Sequence, residues 1–538
     1  MTQRCGVATL QLLARYGVDT VFGIPGVHTL EFCRGLDSDQ SIRHIRARHE
    51  QGAGFMADGY ARASGKPGVA LVISGPGVTN AATALGQSYA DSIPVLLLSA
   101  EPPTNSLGKG FGVLHEITSQ SAVTAPLTAF SATAYTPQDI PDLLRRAFAV
   151  FNSARPRPVH ISIPTDVLER LVEVPWVPAI LASRPYPDPG AIRAGAEALS
   201  NASRALIMLG GGAIEAGEAI TAIAERIGAV VTTSSAGKGI VSDMHPLNVG
   251  ASQGRAPVHQ LIADADVVLA IGTEISETDT FIERLTFNGT LIRADIDPAK
   301  VNDLYPADIG IVADANATAT ALLAALETST DKAGPVLSKR ASARANKVRA
   351  SVTAGLSPTE QQHVTLLDAI RRVLPPHGMV FGDTCQLVYT GTFAMPVTAP
   401  RRWHYPTGFC TLGCGLPNAI GAQVALPQTP IIALAGDGGF MFTMQELVLA
   451  AELQLPLAIV IWDNQGLQQI RDDMRARQLP QIGVDGLNPD FEQLAHACFC
   501  HAAAPNSMSA FEAALASALE ADRPTVIVVR ENTAWLCS

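Results

Sequence analysis

Apolar residues occur along this chain in short unbroken blocks, each closed by glycine, proline or a polar turn and followed by helical spacing. The first third carries "TVFGIPG", "GVALVISGPG", "IPVLLLSA" and "PVHISIP". The middle carries "RALIMLGGG", "AVVTTSSAGKG", "DVVLAIGT" and "LIRADIDP", and the last part "GMVFGDT", "PIIALAGDGG", "PLAIVIWDNQG" and "PTVIVVRE". Blocks of this kind predict strands buried on both faces, and their alternation with helices predicts parallel sheets. The fold class is therefore α/β, with three doubly wound parallel-sheet domains at residues 1–175, 188–330 and 360–538. The proline-rich stretch "VPWVPAILASRPYPDPG" reads as the first linker. The polar, Ala/Ser/Lys-rich segment 331–358 reads as a helix or a second linker. In such sheets ligands bind beyond the carboxyl ends of the strands, so the loops closing the blocks are where chemistry is expected.

Composition narrows the picture. At 538 residues the chain exceeds one ordinary core, and its 47% apolar content with only 5% aromatics suits helix-covered parallel sheets. A net charge of −11 argues against nucleic acid and against an anionic membrane surface as partners. No apolar run is long enough to span a bilayer. The start reads as an amphipathic helix interrupted by Gln11, Arg15 and Tyr16, not as a signal peptide. The eight cysteines form no paired framework. Neither Cys410 with Cys414 nor "CFCH" at 498–501 supplies the four ligands of structural zinc, so reduced thiols in a cytoplasmic protein are expected.

Two loops stand out. Asp437 lies in a Gly-Asp-Gly directly after an apolar block, and Asp463, Asn464 and Gly466 close the next block. If those strands are neighbours, Asp437 and Asn464 emerge side by side, and a carboxylate with an amide oxygen suits Mg²⁺ shared with a phosphate. Thr443 and Glu446 are spaced as a capping box, predicting a helix start whose free N–H groups favour that phosphate. The competing reading is a helix cap at Asp437 and a simple turn at Asn464. The second loop is "RARHEQGAGFMADGYARASGKPGV", where Glu50 precedes the small residues Gly52, Ala53 and Gly54. An acid in a closely packed place has a partner or a task. The "GGGAIEAG" turn at 210–217 lacks the acidic residue a dinucleotide site expects further on, and reads as a tight strand–helix turn.

These motifs resemble a known family. "GDGGFMF…DNQG" resembles the diphosphate-binding motif of the thiamine diphosphate enzymes, and "RHEQGAGFMADGYARASGKPGV" their pyrimidine-side motif. "VFGIPG", "ISGPGVTNAATAL", "RPVHISIPTDV", "GKGIVSDMHPLNVG", "RADIDP" and "GFCTLGCGLPNAIGA" are similar in order and spacing, and the pattern resembles the acetohydroxyacid (acetolactate) synthase branch. The resemblance implies pyrimidine-binding, central and diphosphate-binding domains. It implies that Asp437, Asn464 and the Gly466 carbonyl hold Mg²⁺ on the diphosphate. Gly436, Gly438, Gly439 and Leu467 would flank the diphosphate, and Pro25, Gly26, Gly75 and Asn80 would line the cofactor site. Glu50 would bond the pyrimidine across a dimer interface, and Leu412 would be the wedge that bends the cofactor. Homodimers or homotetramers with shared active sites follow.

Departures from the synthases bear on the substrate, a small 2-oxo acid. Thr128 stands near the place of their lysine, Thr278 near that of a central arginine, and "GLQQIRDDM" replaces a tryptophan-bearing helix. These losses count against acetolactate synthesis and against FAD in the central domain. Glu101, Glu116 and Gln120 make the expected pocket rich in acceptors, with Asp383 and Ile470 as further wall residues. The pattern looks most like the 5-guanidino-2-oxopentanoate decarboxylases, whose guanidinium would favour carboxylates. His28 and His115 are the candidates for delivering a proton after CO₂ leaves. The alternatives are an acetolactate-type carboligase, an FAD-linked oxidase, a non-catalytic regulatory subunit and, from the glycine turn alone, a nicotinamide dehydrogenase.

Overall fold

The computed structural model describes residues 2–38, 40–328 and 335–536. Its three large sheets are parallel throughout, as the apolar blocks predict. Strands such as Val95–Glu101 and Leu457–Asp463 are buried along their whole length, because helices cover both faces. The first sheet runs Arg43–Arg46, Thr20–Gly23, Gly68–Val72, Val95–Glu101, Val159–Pro164, Phe130–Thr133. The third runs Trp403–His404, Met379–Gly382, Ile431–Gly436, Leu457–Asp463, Thr525–Arg530, His501–Ala503. Numbered along the chain within each sheet, both read 2-1-3-4-6-5, so the first and third domains share one topology. The central sheet has five strands, Val230–Thr233, Ala205–Leu209, Val267–Ile271, Thr290–Asp295 and Ile309–Val312.

Within the three large sheets five strands do not follow from the apolar blocks: Arg43–Arg46, Phe130–Thr133, Ile309–Val312, Trp403–His404 and His501–Ala503. All five lie at sheet edges. An edge strand has one hydrogen-bonded neighbour and keeps residues such as Arg43 and His501 exposed, which breaks the apolar block. The chain start also differs from expectation. Thr2–Arg4 pairs antiparallel with Leu171–Glu173 before the helix Cys5–Arg15 begins. The polar segment after 330 contains a helix, Pro335–Ala354, whose Arg349 donates to the Asn248 carbonyl of the central domain. No helix among the described residues is long and apolar enough to cross a membrane.

The first and third domains share a core that runs from Phe22, Ala57 and Leu97 to Phe381, Ile420 and Ile459. The central domain has its own core, built around Ile207, Leu269 and Ile292. The shared core is closed by the helix Glu50–Ser64 lying on the helix Gly415–Ala425. Their backbones touch. A Cβ on Gly59 would lie 2.1 Å from the Asn418 carbonyl oxygen, and one on Gly421 would lie 1.9 Å from that of Met56.

Alanine at 421 gains about 1 kcal/mol of helix propensity. Overpacking against a backbone atom that cannot rotate away costs about 1–3 kcal/mol or more. The clash should win: Gly421→Ala is expected to lower the thermal unfolding midpoint, and an unchanged midpoint would contradict this packing.

Candidate active site

The turns where strand order reverses lie between Thr20–Gly23 and Gly68–Val72 in the first sheet, and between Met379–Gly382 and Ile431–Gly436 in the third. Ligands of open parallel sheets bind at such switch points. Pro25, Gly26, His28 and Gly75 close the first, and Asp383 and Gly436–Gly439 the second.

In the third domain Asp437 is 1% exposed. Its Oδ2 accepts from the Gly466 amide at 2.9 Å and from Asn488 Nδ2 at 2.7 Å. The end of the Asn464 amide lies 2.9 Å from the Gly466 carbonyl oxygen and 3.2 Å from Asp437 Oδ1. With the amide oxygen at that end three acceptor oxygens converge without a proton among them; with the nitrogen there it donates to both. An oxygen set of carboxylate, amide and carbonyl fits Mg²⁺. Burial pushes the Asp437 carboxyl above its usual range, and the charge on Asp463 adds to this, while the Asn488 bond and the Gly438 and Gly466 amides pull it down. A cation there would reverse the rise. Asn488, which bonds both Asp437 and Asp463 Oδ1 (2.9 Å), has no sequence signal, because it sits in a coil and not at a strand end.

Glycine at 466 is required: its φ is +144°, and a Cβ would meet the Val484 carbonyl oxygen at 2.2 Å. Leu467 packs beside Gly438, and Leu412 lies over Gly439. The Leu412 loop is held from two domains. Asp91 and Gln87 accept from the Gly408 and Thr411 amides at 2.7 and 3.3 Å, and Asp383 accepts from Gly413 and Gly415 at 3.0 and 2.9 Å. Asp383, expected in the pocket wall, holds this loop and lies beside Gly439. It is 1% exposed, and its carboxylate serves the loop amides and its own Thr384 neighbour. Ile470 is exposed on the helix Gln468–Ala476.

The expected capping box at Thr443 and Glu446 is not formed. Thr443 donates to the Gly413 carbonyl at 2.7 Å, and the helix Glu446–Glu452 has no side-chain cap. Glu446 instead reaches the first domain, where it accepts from the Arg48 amide at 3.1 Å and the His49 amide at 3.0 Å, just ahead of Glu50. A Cβ on Gly52 would strike its carboxylate at 2.3 Å, which accounts for that glycine. Burial pushes the Glu446 carboxyl up to about 7, against those amide bonds.

In the first domain Glu50 opens its helix, buried, with Oε2 accepting from Asn80 Nδ2 at 2.9 Å. His28 Nδ1 lies 2.5 Å from Ser74 Oγ, and its ring meets His115 edge-on at 5.2 Å. Burial, and then His115, hold the His28 imidazole below its usual range, so it is neutral at pH 7. Gly75 has φ +60° and sits under the His115 carbonyl, while its amide donates to Gln120 Oε1 at 2.8 Å. A Cβ on Gly26 would meet Ile73 at 2.5 Å. The structure thus gathers Gly26, His28, Gly75, His115 and Gln120 beyond the carboxyl ends of the interior strands Thr20–Gly23 and Gly68–Val72.

Glu101 and Glu116 lie nearby but are engaged. Glu101 accepts from Ser162 at 2.5 Å and Thr133 at 3.1 Å. Glu116 accepts the backbone amides of Gly110, Phe111, Gly112 and Val113 at 2.6–3.3 Å. With Gln120 they border a cavity of only about 10 Å³, enough for one water. In the central domain the glycine turn is filled by backbone, since a Cβ on Gly210 would lie 2.2 Å from the Gly272 carbonyl oxygen. Cys498 and Cys500 are free, and among the described residues no three of His, Cys, Asp and Glu are grouped to hold a metal.

Comparison with known proteins places all three domains in one family. Residues 4–123 match the thiamine pyrophosphate enzyme N-terminal TPP binding domain, 192–322 its central domain and 384–529 its C-terminal TPP binding domain. The chain is 50% identical over 537 residues to the probable 2-ketoarginine decarboxylase AruI of Pseudomonas aeruginosa, covering 99% of this chain and 95% of that protein. It is 32% identical over 508 residues to the probable acetolactate synthase large subunit of Methanocaldococcus jannaschii (91% and 85% covered). It is 30% identical over 475 residues to acetolactate synthase isozyme 1 large subunit of Escherichia coli (85% and 81% covered).

Glu446 carries a pH dependence. Its carboxyl is raised from 4.5 to about 7 by folding, so the folded chain binds the extra proton between those values. The stability this contributes is full below the lower value and is lost as pH rises through the upper one. Glu446→Gln keeps an acceptor for the two amides without the titration. Denaturant midpoints at about pH 5 and about pH 8 should show the variant gaining on the parent at the higher pH, by roughly 1–3 kcal/mol; parallel behaviour at both would contradict the assignment.

Proposed function

The chain belongs to the thiamine pyrophosphate enzymes, and from that premise we propose that it is a Mg²⁺-dependent, non-oxidative decarboxylase of 5-guanidino-2-oxopentanoate, which is 2-ketoarginine. The observation that carries the cofactor chemistry is the convergence of Asp437, Asn464 and the Gly466 carbonyl at a switch point. The substrate rests on the 50% identity, over nearly the whole chain, to a protein named for that decarboxylation.

When bound, thiamine diphosphate supplies the electron sink that takes up the electrons of the breaking carbon–carbon bond. The chain supplies the rest. Asp437, Asn464 and Gly466 would hold the cation with the diphosphate, and Gly436, Gly438 and Gly439 would let backbone approach it. Leu412, fixed by Asp383 from below and by Asp91 and Gln87 from the first domain, is the apolar wedge. Glu50, oriented by Asn80, holds a proton at the pyrimidine ring. His28 is neutral and bonded to Ser74, and beside it the buried His115 Nδ1 has no hydrogen-bond partner among the described residues. The pair is placed to return a proton once CO₂ has left.

Each half-site is fringed with exposed apolar side chains: Val27, Leu30, Phe111 and Leu114 near the histidines, Phe442 and Ile470 near the Leu412 loop and Gly466. Covering such a side chain is worth roughly 1.5–3 kcal/mol. A second copy of the chain, laying its Glu50 half over this Asp437 half, covers both fringes and completes two sites.

A second reading, an acetolactate-type carboligase, rests on the relatives at 30–32% identity. Thr128 and Thr278, at the places noted above, count against it.

CO₂ release from a panel of 2-oxo acids, with thiamine diphosphate and Mg²⁺ added, tests the proposal. The guanidino compound should exceed pyruvate in kcat/KM by at least about tenfold. Equal rates would overturn the substrate, and acetolactate from pyruvate would favour the carboligase. Glu50→Gln should fold normally and lose about 10²-fold or more in kcat. Chelation should abolish activity, and Mg²⁺ should restore it.

A further inference from the structure

A cavity of about 430 Å³ opens between the central and third domains. Its walls continue the Asp437 half-site. Gln386 follows Asp383 and Cys385 at the end of one strand, and Gln469 and Asp472 lie on the helix after Gly466. Gln386 Nε2 joins the two sides, donating to Gln469 Oε1 at 3.2 Å and to Asp472 Oδ2 at 3.1 Å.

The charge of this lining is negative. It carries Asp279, Glu360 and Asp472 against one cation, Arg255, which is bonded to Glu360 at 2.7 Å and stacked on Phe393. Asp472 has Arg475 at 3.2 Å on its solvent side. Asp279 pairs with no cation among the described residues. Its oxygens accept from Ser235 and Ser276, the Ser235 amide lying at 2.9 Å and Ser276 Oγ at 2.8 Å. Burial, and to a smaller extent the charge on Asp91, raises its carboxyl above the usual range, while the bonds from Ser235 and Ser276 pull it down.

The cavity also holds polar atoms that the protein does not satisfy. Thr233 Oγ1 and His363 Nε2 belong to side chains 0% and 1% exposed, line the cavity and have no partner among the described residues. Gln386 Oε1 is likewise unpartnered. Buried polar atoms without partners are rare in native proteins and mark a missing ligand or water. A guanidinium brings five N–H donors in a planar fork and stacks on aromatic faces, which Phe281 and Tyr389 offer here. A phosphate would meet the repulsion of Asp279 and Asp472.

We infer that this cavity receives the cationic end of the 2-oxo acid, with Asp279 as its counter-ion and Gln386, Asp472 and Thr233 as further acceptors. The inference rests on the decarboxylase reading and deepens it. It moves the cation-binding end of the pocket away from Glu101 and Glu116, which border a cavity that admits no side chain. The oxo-acid head stays at the cofactor, and the methylene arm spans the gap past Gln386.

The test compares 5-guanidino-2-oxopentanoate with uncharged 2-oxohexanoate on the holoenzyme and on Asp279→Asn, Asp279→Glu and Asp472→Asn. Asp279→Asn should raise KM for the guanidino acid about tenfold or more while kcat moves little, so that the preference over 2-oxohexanoate collapses. Asp279→Glu should recover part of it. Asp472→Asn, at the half-exposed rim, reads the same preference if the Asp279 variants do not fold, and should cut it about threefold. A parallel fall on both substrates, or an unmoved preference, would overturn the inference. A parent enzyme that itself shows no preference for the guanidino acid would overturn the decarboxylase reading instead.

Discussion

The architecture depends on one contact: the backbone of the helix Glu50–Ser64 pressed on that of Gly415–Ala425. Glycines at 59 and 421 remove the side chains that would hold the helices apart. Close approach joins the facing sides of the first and third domains in one core, and polar groups from both are drawn to it. Glu446 reaches across to the amides ahead of Glu50, and Arg62 is buried between Asp58 and Asp91. Asp91 in turn holds Gly408, at the start of the loop that carries Leu412. The candidate catalytic acid and the candidate wedge are thus set by the same helix pair, although they lie far apart in sequence.

The two outer domains repeat one strand order and divide the chemistry between equivalent switch points. The first presents Glu50, Asn80 and two histidines; the third presents a buried aspartate among oxygen acceptors. A buried carboxylate without a counter-charge is costly, and Coulomb attraction in a low-dielectric site offsets that cost only when a cation sits close by. Asp437, which is buried, and Asp279, which is partly buried, both stand without a cation among the described residues. The first fits a divalent ion shared with a diphosphate, the second an organic cation.

Much of this was legible in the sequence. Central strands announce themselves because burial on both faces demands unbroken apolar blocks. The edge strands, with solvent on one side, carry Arg43 or His501 and escape the pattern. Asp437 and Asn464 were readable because neighbouring parallel strands place their ends together. Three things were not. The Thr443 and Glu446 spacing satisfies a local rule, yet both side chains are drawn to distant partners. Glu101 and Glu116 are acids near the first switch point, but two hydroxyls take up Glu101 Oε2 and the amides of the Gly110–Val113 turn take up both Glu116 oxygens. Asn488 and Asp279 belong to no motif, and their roles arise only when loops from separate elements converge.

The central claim is that each working site joins the Glu50 half of one chain to the Asp437 half of another. Co-expression of Glu50→Gln with Asp437→Ala, each inactive alone, tests it directly. Random pairing makes half the dimers mixed, and each mixed dimer holds one intact site, so activity should return to about a quarter of the parent value. A co-expressed pair as inactive as either variant alone would contradict the account.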